Sequence, residues 1–167
     1  VKVVLDAKTP WRDGICGVVG ELCTIPKELT TALDIALGGA SRYIVTDTEG
    51  TAKQAIRYLK ERRAGRTTFL PLQTIRPRRR TGDEEQAVHE AGSLGFANDV
   101  IAYDAAYGDI FASLLGKTIL VKTVDEAAAI AKKYHYRLRL VCLDGTLFNP
   151  GGSLTGGSTK NAEGSFI

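Results

Sequence analysis

The chain has 167 residues, of which 44% are hydrophobic and 25% are charged, so it has enough apolar side chains for one sizeable core or two small ones. This composition excludes a disordered tail, and no apolar run approaches the roughly 20 residues that a membrane-spanning helix needs. A net charge of +3 permits a local nucleic-acid-binding surface but does not require one.

The first half of the chain predicts a helix, a strand, a second helix and a second strand. The first helix is expected at 26–37, because proline suits the first helical position and apolar residues recur at helical spacing until two glycines follow. RYIVT, at 42–46, predicts a short buried strand. The T-x-x-E pattern of Thr46–Glu49 predicts the cap of the second helix, with Ala52, Ala55, Ile56 and Leu59 on one face. Gly65 is expected to end that helix before the strand TTFLP.

The segment IRPRRRTGDEE, at 75–85, has no apolar periodicity and changes its sign of charge midway. These features predict an exposed connection between two lobes. We therefore expect a first lobe at 1–75, a basic connection at 76–85 and a second lobe at 86–160.

The second half of the chain repeats the order of helices and strands predicted for the first half. Helices are expected at 104–115 and 124–134, and strands at 118–123 and 137–145. An offset of 77 residues aligns Leu37 with Leu114, Gly39 with Gly116, Ile44 with Val121, and Thr46 with Thr123. Four such matches can arise by chance alone. The repeated order of elements nevertheless favours a mixed α/β (α+β) chain of two similar small lobes.

The stretch NPGGSLTGGSTK, at 149–160, contains two pairs of glycines and allows three interpretations. A Walker-type phosphate loop needs lysine directly after its last glycine, and here Lys160 comes too late. Glycine pairs also allow another backbone to approach closely, and SLT, at 153–155, is a strand-competent run that could pair with another subunit. Composition alone favours a flexible tail.

The sequence offers little for catalysis or metal binding. Cys16, Cys23 and Cys142 form no CxxC pair and lie far from the two histidines, so buried, reduced thiols in a cytosolic protein are expected. No GxSxG elbow is present. Asp144, in LDG at the end of a strand, has the position of a catalytic acid, but such an aspartate more often starts a turn. We expect no catalytic residue, no metal and no cofactor.

Basic residues gather around the second helix and the connection. They are Lys53, Arg57 and Lys60 on one helix face, Arg62, Arg63 and Arg66 beyond it, and Arg76, Arg78, Arg79 and Arg80 in the connection. Such a cluster neutralises phosphates without reading bases, or it forms a solvated face that nearby acids balance.

Four stretches together resemble the hinge domain of SMC proteins, the chromosome-organising ATPases, and most closely the bacterial type. They are GICGVVGELCTIP, ALDIALGGASRYIVTDTEGTAKQAIRYLK, GRTTFLPLQTIRPR and the closing RLVCLDGTLFNPGGSLTGGS. They follow one another in the family's order and span nearly the whole chain.

The resemblance implies a hinge in the middle of a long antiparallel coiled coil, whose far end carries an ABC-type ATPase head that this chain lacks. This chain should therefore hydrolyse nothing, and residues 161–167 should start the exit toward the coiled coil. The implied assembly is a two-fold, ring-like homodimer in which the first lobe of one subunit meets the second lobe of the other. Its other implied partners are the coiled-coil arms and DNA without sequence preference, in the cytoplasm at the nucleoid and without a membrane.

The resemblance also implies site residues. The interface segment comprises Gly151, Gly152, Ser153, Leu154, Thr155, Gly156 and Gly157. Lys160 matches a DNA-binding position of the family, although Asn161 and Ala162 depart from its lysine-rich continuation. Lys60, Arg62, Arg63 and Arg66 are further DNA-binding candidates on charge alone. The alternative function is a small α/β nucleotide-binding or enzyme domain that uses the Gly151–Lys160 loop.

Overall fold

The computed structural model describes residues 1–158 and shows a mixed α/β fold. Its helices are α1 (Lys2–Leu5), α2 (Thr30–Leu37), α3 (Glu49–Arg62), α4 (Gly82–Ala87), α5 (Gly108–Leu115) and α6 (Val124–Lys133). Its strands are β1 (Ile15–Val18), β2 (Cys23–Thr24), β3 (Ile44–Thr46), β4 (Phe69–Pro71), β5 (Ser93–Phe96), β6 (Ala102–Tyr103), β7 (Thr118–Val121), β8 (Arg139–Cys142), β9 (Leu147–Phe148) and β10 (Leu154–Thr155). Within these residues, every helix is too short or too polar to cross a membrane.

Packing divides the chain into two units. Among the described residues, the first comprises 1–25, 37–79 and 101–116, and the second comprises 26–36, 80–100 and 117–158. The segment that contains most of α2 therefore packs in the second unit, and α5 packs in the first. The sequence-continuous lobe boundaries at 1–75 and 86–160 stay a prediction.

The first unit is built on a β-α-β crossover. β3 and β4 are parallel neighbours joined through α3, and β1 pairs antiparallel with β3, giving the sheet order β1-β3-β4. Val4, Ile15, Ile44 and Leu59 form the centre of its core. The apolar face predicted for α3 is correct at Ala52, Ala55 and Leu59 but wrong at Ile56, whose exposed fraction is 40%.

The second unit repeats this crossover and extends it. β7 and β8 are parallel neighbours joined through α6, β5 pairs antiparallel with β7, and the full order is β10-β9-β8-β7-β5. All four residues of β7 are buried, as a central strand covered on both faces requires. Ile119, Leu140, Ile130 and Phe148 lie in the core beneath the sheet.

Both units therefore contain one central strand with an antiparallel neighbour on one side and a parallel neighbour on the other. The antiparallel strands even share an irregularity of register, at Ile15–Gly17 in β1 and at Ser93–Gly95 in β5. Gly17 and Gly95 have φ values of 145° and 116°, which side chains other than glycine rarely allow. This correspondence supports the internal repeat inferred from the sequence.

The acidic end of the predicted connection forms the start of α4, and the prediction of an exposed connection is wrong at the buried Glu84. Thr81 and Glu84 form a reciprocal capping box, in which Thr81 Oγ accepts from Glu84 N at 3.1 Å and Thr81 N donates to Glu84 Oε1 at 2.8 Å. Glu84 is only 6% exposed and pairs with Lys117 Nζ at 2.9 Å. The capping bonds and the ion pair together satisfy this buried carboxylate.

The ends of α3 also differ from the prediction. The N-cap is Thr48, whose hydroxyl accepts from Thr51 N at 3.1 Å, whereas Thr46 is fully buried and its hydroxyl donates to the Thr48 carbonyl. At the other end, Arg63 adopts the left-handed conformation with φ 49° and ends the helix two residues before Gly65.

Candidate dimer interface and basic surface

The interface segment Gly151–Gly157 forms a tight turn after β9 and then the strand β10. Asn149 N and Nδ2 both donate to Ser153 O, at 2.8 and 3.2 Å, and Gly151 N donates to Tyr136 O at 2.7 Å. β10 then pairs antiparallel with β9, with Leu154 opposite Phe148. The flexible tail that composition favoured is therefore wrong for this segment, which is a hydrogen-bonded hairpin.

This hairpin does not have the geometry of a phosphate cradle. Such a cradle presents free glycine amides at the start of a helix that follows a strand. Here the glycines lie between two antiparallel strands, and the amides of Gly151 and Gly152 already donate to backbone carbonyls. Lys160 lies outside the described residues. Within residues 1–158, no cluster of three histidine, cysteine or acidic side chains is arranged to bind a metal.

The four glycines of the segment are not equivalent. Gly151, Gly152 and Gly157 have φ values of 101°, 105° and 127°, so their own backbone conformation favours glycine. Gly156 has no such φ, and a Cβ there would lie 3.6 Å from Thr146 Oγ1, an ordinary contact. Within the described chain, neither backbone nor neighbours require glycine at position 156. Close approach by another chain would explain it.

β10 is an exposed sheet edge with an apolar side chain. It is the last strand in the sheet order, and Leu154 is 59% exposed. Tyr136, which is 47% exposed, lies beside the turn, because a Cβ on Gly152 would be 3.8 Å from Tyr136 Cβ. Unpaired strand edges promote association between chains, especially with exposed apolar side chains. Sequence patterns do not predict Tyr136 at this edge, because its left-handed backbone (φ 58°) has no sequence signal.

The structure separates the basic candidates around α3. Lys60 and Arg66 line the same groove, together with Thr67. Arg62 instead places its guanidinium 3.9 Å from the centre of the Tyr58 ring, which packs edge-on against Trp11. Arg63 caps the helix, and Lys160 lies outside the described residues.

Two arginines of the predicted basic connection have structural partners. Arg76 donates to the carbonyls of Leu72 and Ile75, at 3.1 and 2.6 Å, and lies 3.8 Å from Asp109. Arg80 donates to Asn98 Oδ1 at 3.1 Å, pairs with Asp99 at 3.6 Å and covers the Phe96 ring. These contacts direct both charges toward their own unit and reduce the basic surface expected there.

The thiols and Asp144 fit structural roles. Cys142 is fully buried, and burial followed by the charge of Asp144 raises its pKa to about 11. Burial also raises the pKa of the half-buried Cys16 and Cys23 thiols, so all three are poor nucleophiles at neutral pH. Asp144 Oδ1 accepts from Thr146 N at 2.9 Å, which confirms the predicted turn.

Comparisons with known proteins agree with this geometry. Residues 12–131 match the family described as SMC proteins Flexible Hinge Domain. The chain is 40% identical over 168 residues to chromosome partition protein Smc of Bacillus subtilis, covering 100% of this chain and 14% of that relative. The Smc protein of Methanocaldococcus jannaschii is 37% identical over 161 residues, covering 96% of this chain and 13% of that relative.

Solved structures show the same fold. An asymmetric dimer of the Geobacillus stearothermophilus SMC hinge domain is 38% identical, with a TM-score of 0.81 over 96% of this chain and 72% of that chain. The Pyrococcus furiosus Smc hinge domain with an extended coiled coil is 29% identical, with a TM-score of 0.76 over 97% of this chain and 57% of that one. The chain therefore belongs to the family of SMC flexible hinge domains, a non-catalytic part of SMC proteins.

Proposed function

We propose that this chain is the dimerisation hinge of a chromosome partition protein, joining two coiled-coil arms so that chromosomes are condensed and segregated. The names of the Bacillus and Methanocaldococcus relatives support the chromosomal role, and the Geobacillus hinge is described as a dimer. The Pyrococcus hinge continues into a coiled coil. This chain spans only 14% of the Bacillus relative, so the ATPase heads would belong to the rest of the parent protein, in the cytoplasm at the nucleoid.

The observation that supports dimerisation most strongly is the exposed edge of β10. Its free side offers backbone groups to a second copy, Leu154 offers an apolar side chain, and Gly156 leaves room for a close approach. In the proposed ring, the first lobe of one subunit meets the second lobe of its partner at the segment 151–157. Such pairing would bury the exposed apolar edge, which is a liability in an isolated chain.

The proposed auxiliary activity is sequence-independent DNA binding through Lys60, Arg62, Arg63, Arg66 and Lys160. The exposed positions of the first four on and after α3 support it. Contacts from such cations go to phosphates, which are the same at every base, so binding should not depend on sequence and should weaken steeply with salt.

Sedimentation equilibrium of wild type and Gly156→Val tests the dimerisation proposal. Wild type should be a dimer at micromolar concentration, and valine should weaken the dimer about five- to 150-fold, because overpacking a close contact costs about 1–3 kcal/mol. Gly82→Val is the matched control, because Gly82 is exposed, lacks a positive φ and has open space around its Cβ direction. A monomeric wild type, or equal dimer strength in both variants, would contradict the proposal.

A further inference from the structure

The N-terminal ends of two parallel strands in the first unit meet at a groove that is rich in positive charge. Ile44 N, in β3, donates to Thr68 O, just before β4, at 3.0 Å, so the two strands begin side by side. Arg42 leads into β3, and α3 returns to this edge and ends with Lys60 in its last turn. Arg66 follows within the connection to β4. The β-α-β crossover thus brings together three cations, of which the first and the last are 24 residues apart in the chain.

The groove consists of two adjoining hollows that share Arg66 and Thr67. The first hollow is also lined by Arg42, Tyr43 and Thr68, and the second by Lys60. Neither hollow has an acidic residue among its lining residues. Two other hollows of this unit differ in this respect. One combines Arg57 and Arg62 with Glu61, and another combines Arg42 and Lys2 with Asp6 and Glu21.

The three cations are exposed, and no acidic residue of the described chain lies within ion-pair distance of any of them. Within residues 1–158, none of Arg42, Lys60 and Arg66 forms an ion pair, whereas Lys53 on the same helix pairs with Glu49. The end of α3 contributes only about half a negative charge. Two of its carbonyls are already satisfied, because Arg63 N donates to Lys60 O and Ala64 N donates to Leu59 O. The balance of charge in the groove is therefore positive.

We propose that this groove binds phosphate groups of a nucleic-acid backbone, with Arg42 as a contact residue beside Arg66 and Lys60. The inference rests on the proposed DNA binding and assigns it to a defined place. Planar guanidinium groups bind phosphate oxygens in pairs, and the hydroxyls of Thr67 and Thr68 supply further donors. Two adjoining hollows suit successive phosphates of one strand. The half-buried Tyr43 offers an aromatic surface for a sugar or base.

Fluorescence anisotropy measures the affinity for a labelled DNA duplex of about 30 base pairs, from 50 to 300 mM sodium chloride, and tests the proposal. At 100 mM salt, Arg42→Ala should bind about eightfold more weakly than wild type, and its log–log salt slope should be smaller by about 0.9, because one phosphate contact is lost. Arg66→Ala should behave in the same way. The control is Lys132→Ala on α6, which removes an equal charge from an exposed residue of the second unit.

A second arm separates nucleic acid from free phosphate as the ligand. Sodium pyrophosphate and sodium chloride are added to the complex at equal ionic strength. Displacement only by a large molar excess of pyrophosphate over duplex supports a backbone groove, whereas displacement by an equimolar amount overturns it in favour of a site for small phosphates. Melting curves and sedimentation of each variant report on folding and on the dimer.

The outcomes distinguish the inference from the proposed function. A wild type that binds no duplex at 50 mM salt overturns both the auxiliary DNA binding and the groove. A wild type that binds, with Arg42→Ala and Arg66→Ala indistinguishable from Lys132→Ala, overturns the groove alone. Neither result bears on dimerisation, which sedimentation measures separately.

Discussion

The two units contain the same strand arrangement but end their sheets differently. In the first unit the parallel neighbour β4 is itself the edge, and its last residue, Pro71, has no N–H to offer another strand. In the second unit β8 is followed by β9 and β10, and the new edge carries the exposed Leu154. The repeated part therefore forms the scaffold, and the added hairpin forms the exposed edge at which we propose that two copies associate.

The helices of the two crossovers differ in how their basic residues are used. Lys133, in the last turn of α6, donates to Glu90 Oε2 at 2.8 Å, and Tyr134 donates to the same oxygen at 2.6 Å. Lys60, in the last turn of α3, has no acidic partner among the described residues and lines a groove with Arg66. The Lys133 charge at the end of α6 is therefore neutralised within its unit, whereas the Lys60 charge at the end of α3 has no ion pair among the described residues.

The largest expected difference between the units is in the free energy of unfolding that is lost when a leucine of the parallel strand is replaced by alanine. Leu140 is fully buried in β8 between β7 and β9, whereas Leu70 is 8% exposed in the edge strand β4. Leu140→Ala should lower the free energy of unfolding by about 3–4 kcal/mol, and Leu70→Ala by about 2 kcal/mol, because a central site collapses less readily around a cavity. Urea unfolding measures both. Equal losses would mean that the added hairpin does not change the environment of the parallel strand.

A smaller effect is expected at the helix caps, where the two units should agree. Thr48 caps α3 through Thr51 N, and Thr123 caps α6 through Glu126 N at 3.2 Å. Thr48→Ala and Thr123→Ala should each cost about 1 kcal/mol in thermal or urea unfolding. The conservative variants Thr48→Ser and Thr123→Ser serve as controls and should lose little. A neutral Thr48→Ala would contradict the cap assigned by the structure.

The smallest expected effect is a pH-dependent contribution to stability from Glu90, in the second unit. The hydrogen bond from Lys133, and next that from Tyr134, hold the pKa of the Glu90 carboxyl below its ordinary value of 4.5. A lowered folded-state pKa contributes stability above pH 4.5, and this contribution is lost as the pH falls through the lower value. Glu90→Gln should therefore be less stable than wild type at pH 7, and the difference should shrink by pH 3. A pH-independent difference in the urea midpoint would contradict this coupling.

Sequence patterns predicted the repeated scaffold well because its signals are local. β3, β7 and α6 follow from short apolar runs and helical spacing, and the turn at Asp144 follows from its glycine neighbour. β1 and β5 escaped prediction because each contains a glycine at an irregular register and lacks a clear alternation. The cap of α3 was misplaced by two residues because Thr46 and Thr48 both precede the helix.

The candidate sites depend on contacts that sequence spacing does not reveal. Lys60 and Arg66 were proposed from charge, but Arg42 joins them only because β3 and β4 begin side by side. Arg62 shared their sequence signal, yet it packs on Tyr58. The glycine segment was identified through family resemblance, whereas the distinct position of Gly156 emerged only from backbone angles and neighbouring atoms.

Hydrogen exchange at the amides of Leu154 and Thr155 tests the central claim most directly, because it reports on the β10 edge itself. Exchange should slow as the concentration of wild type rises through the monomer–dimer transition, and Gly156→Val should abolish this slowing at the same concentrations. The Gly82→Val control should behave like wild type. Exchange at β10 that is equally fast in monomer and dimer would contradict the assignment of this edge as the place where two copies join.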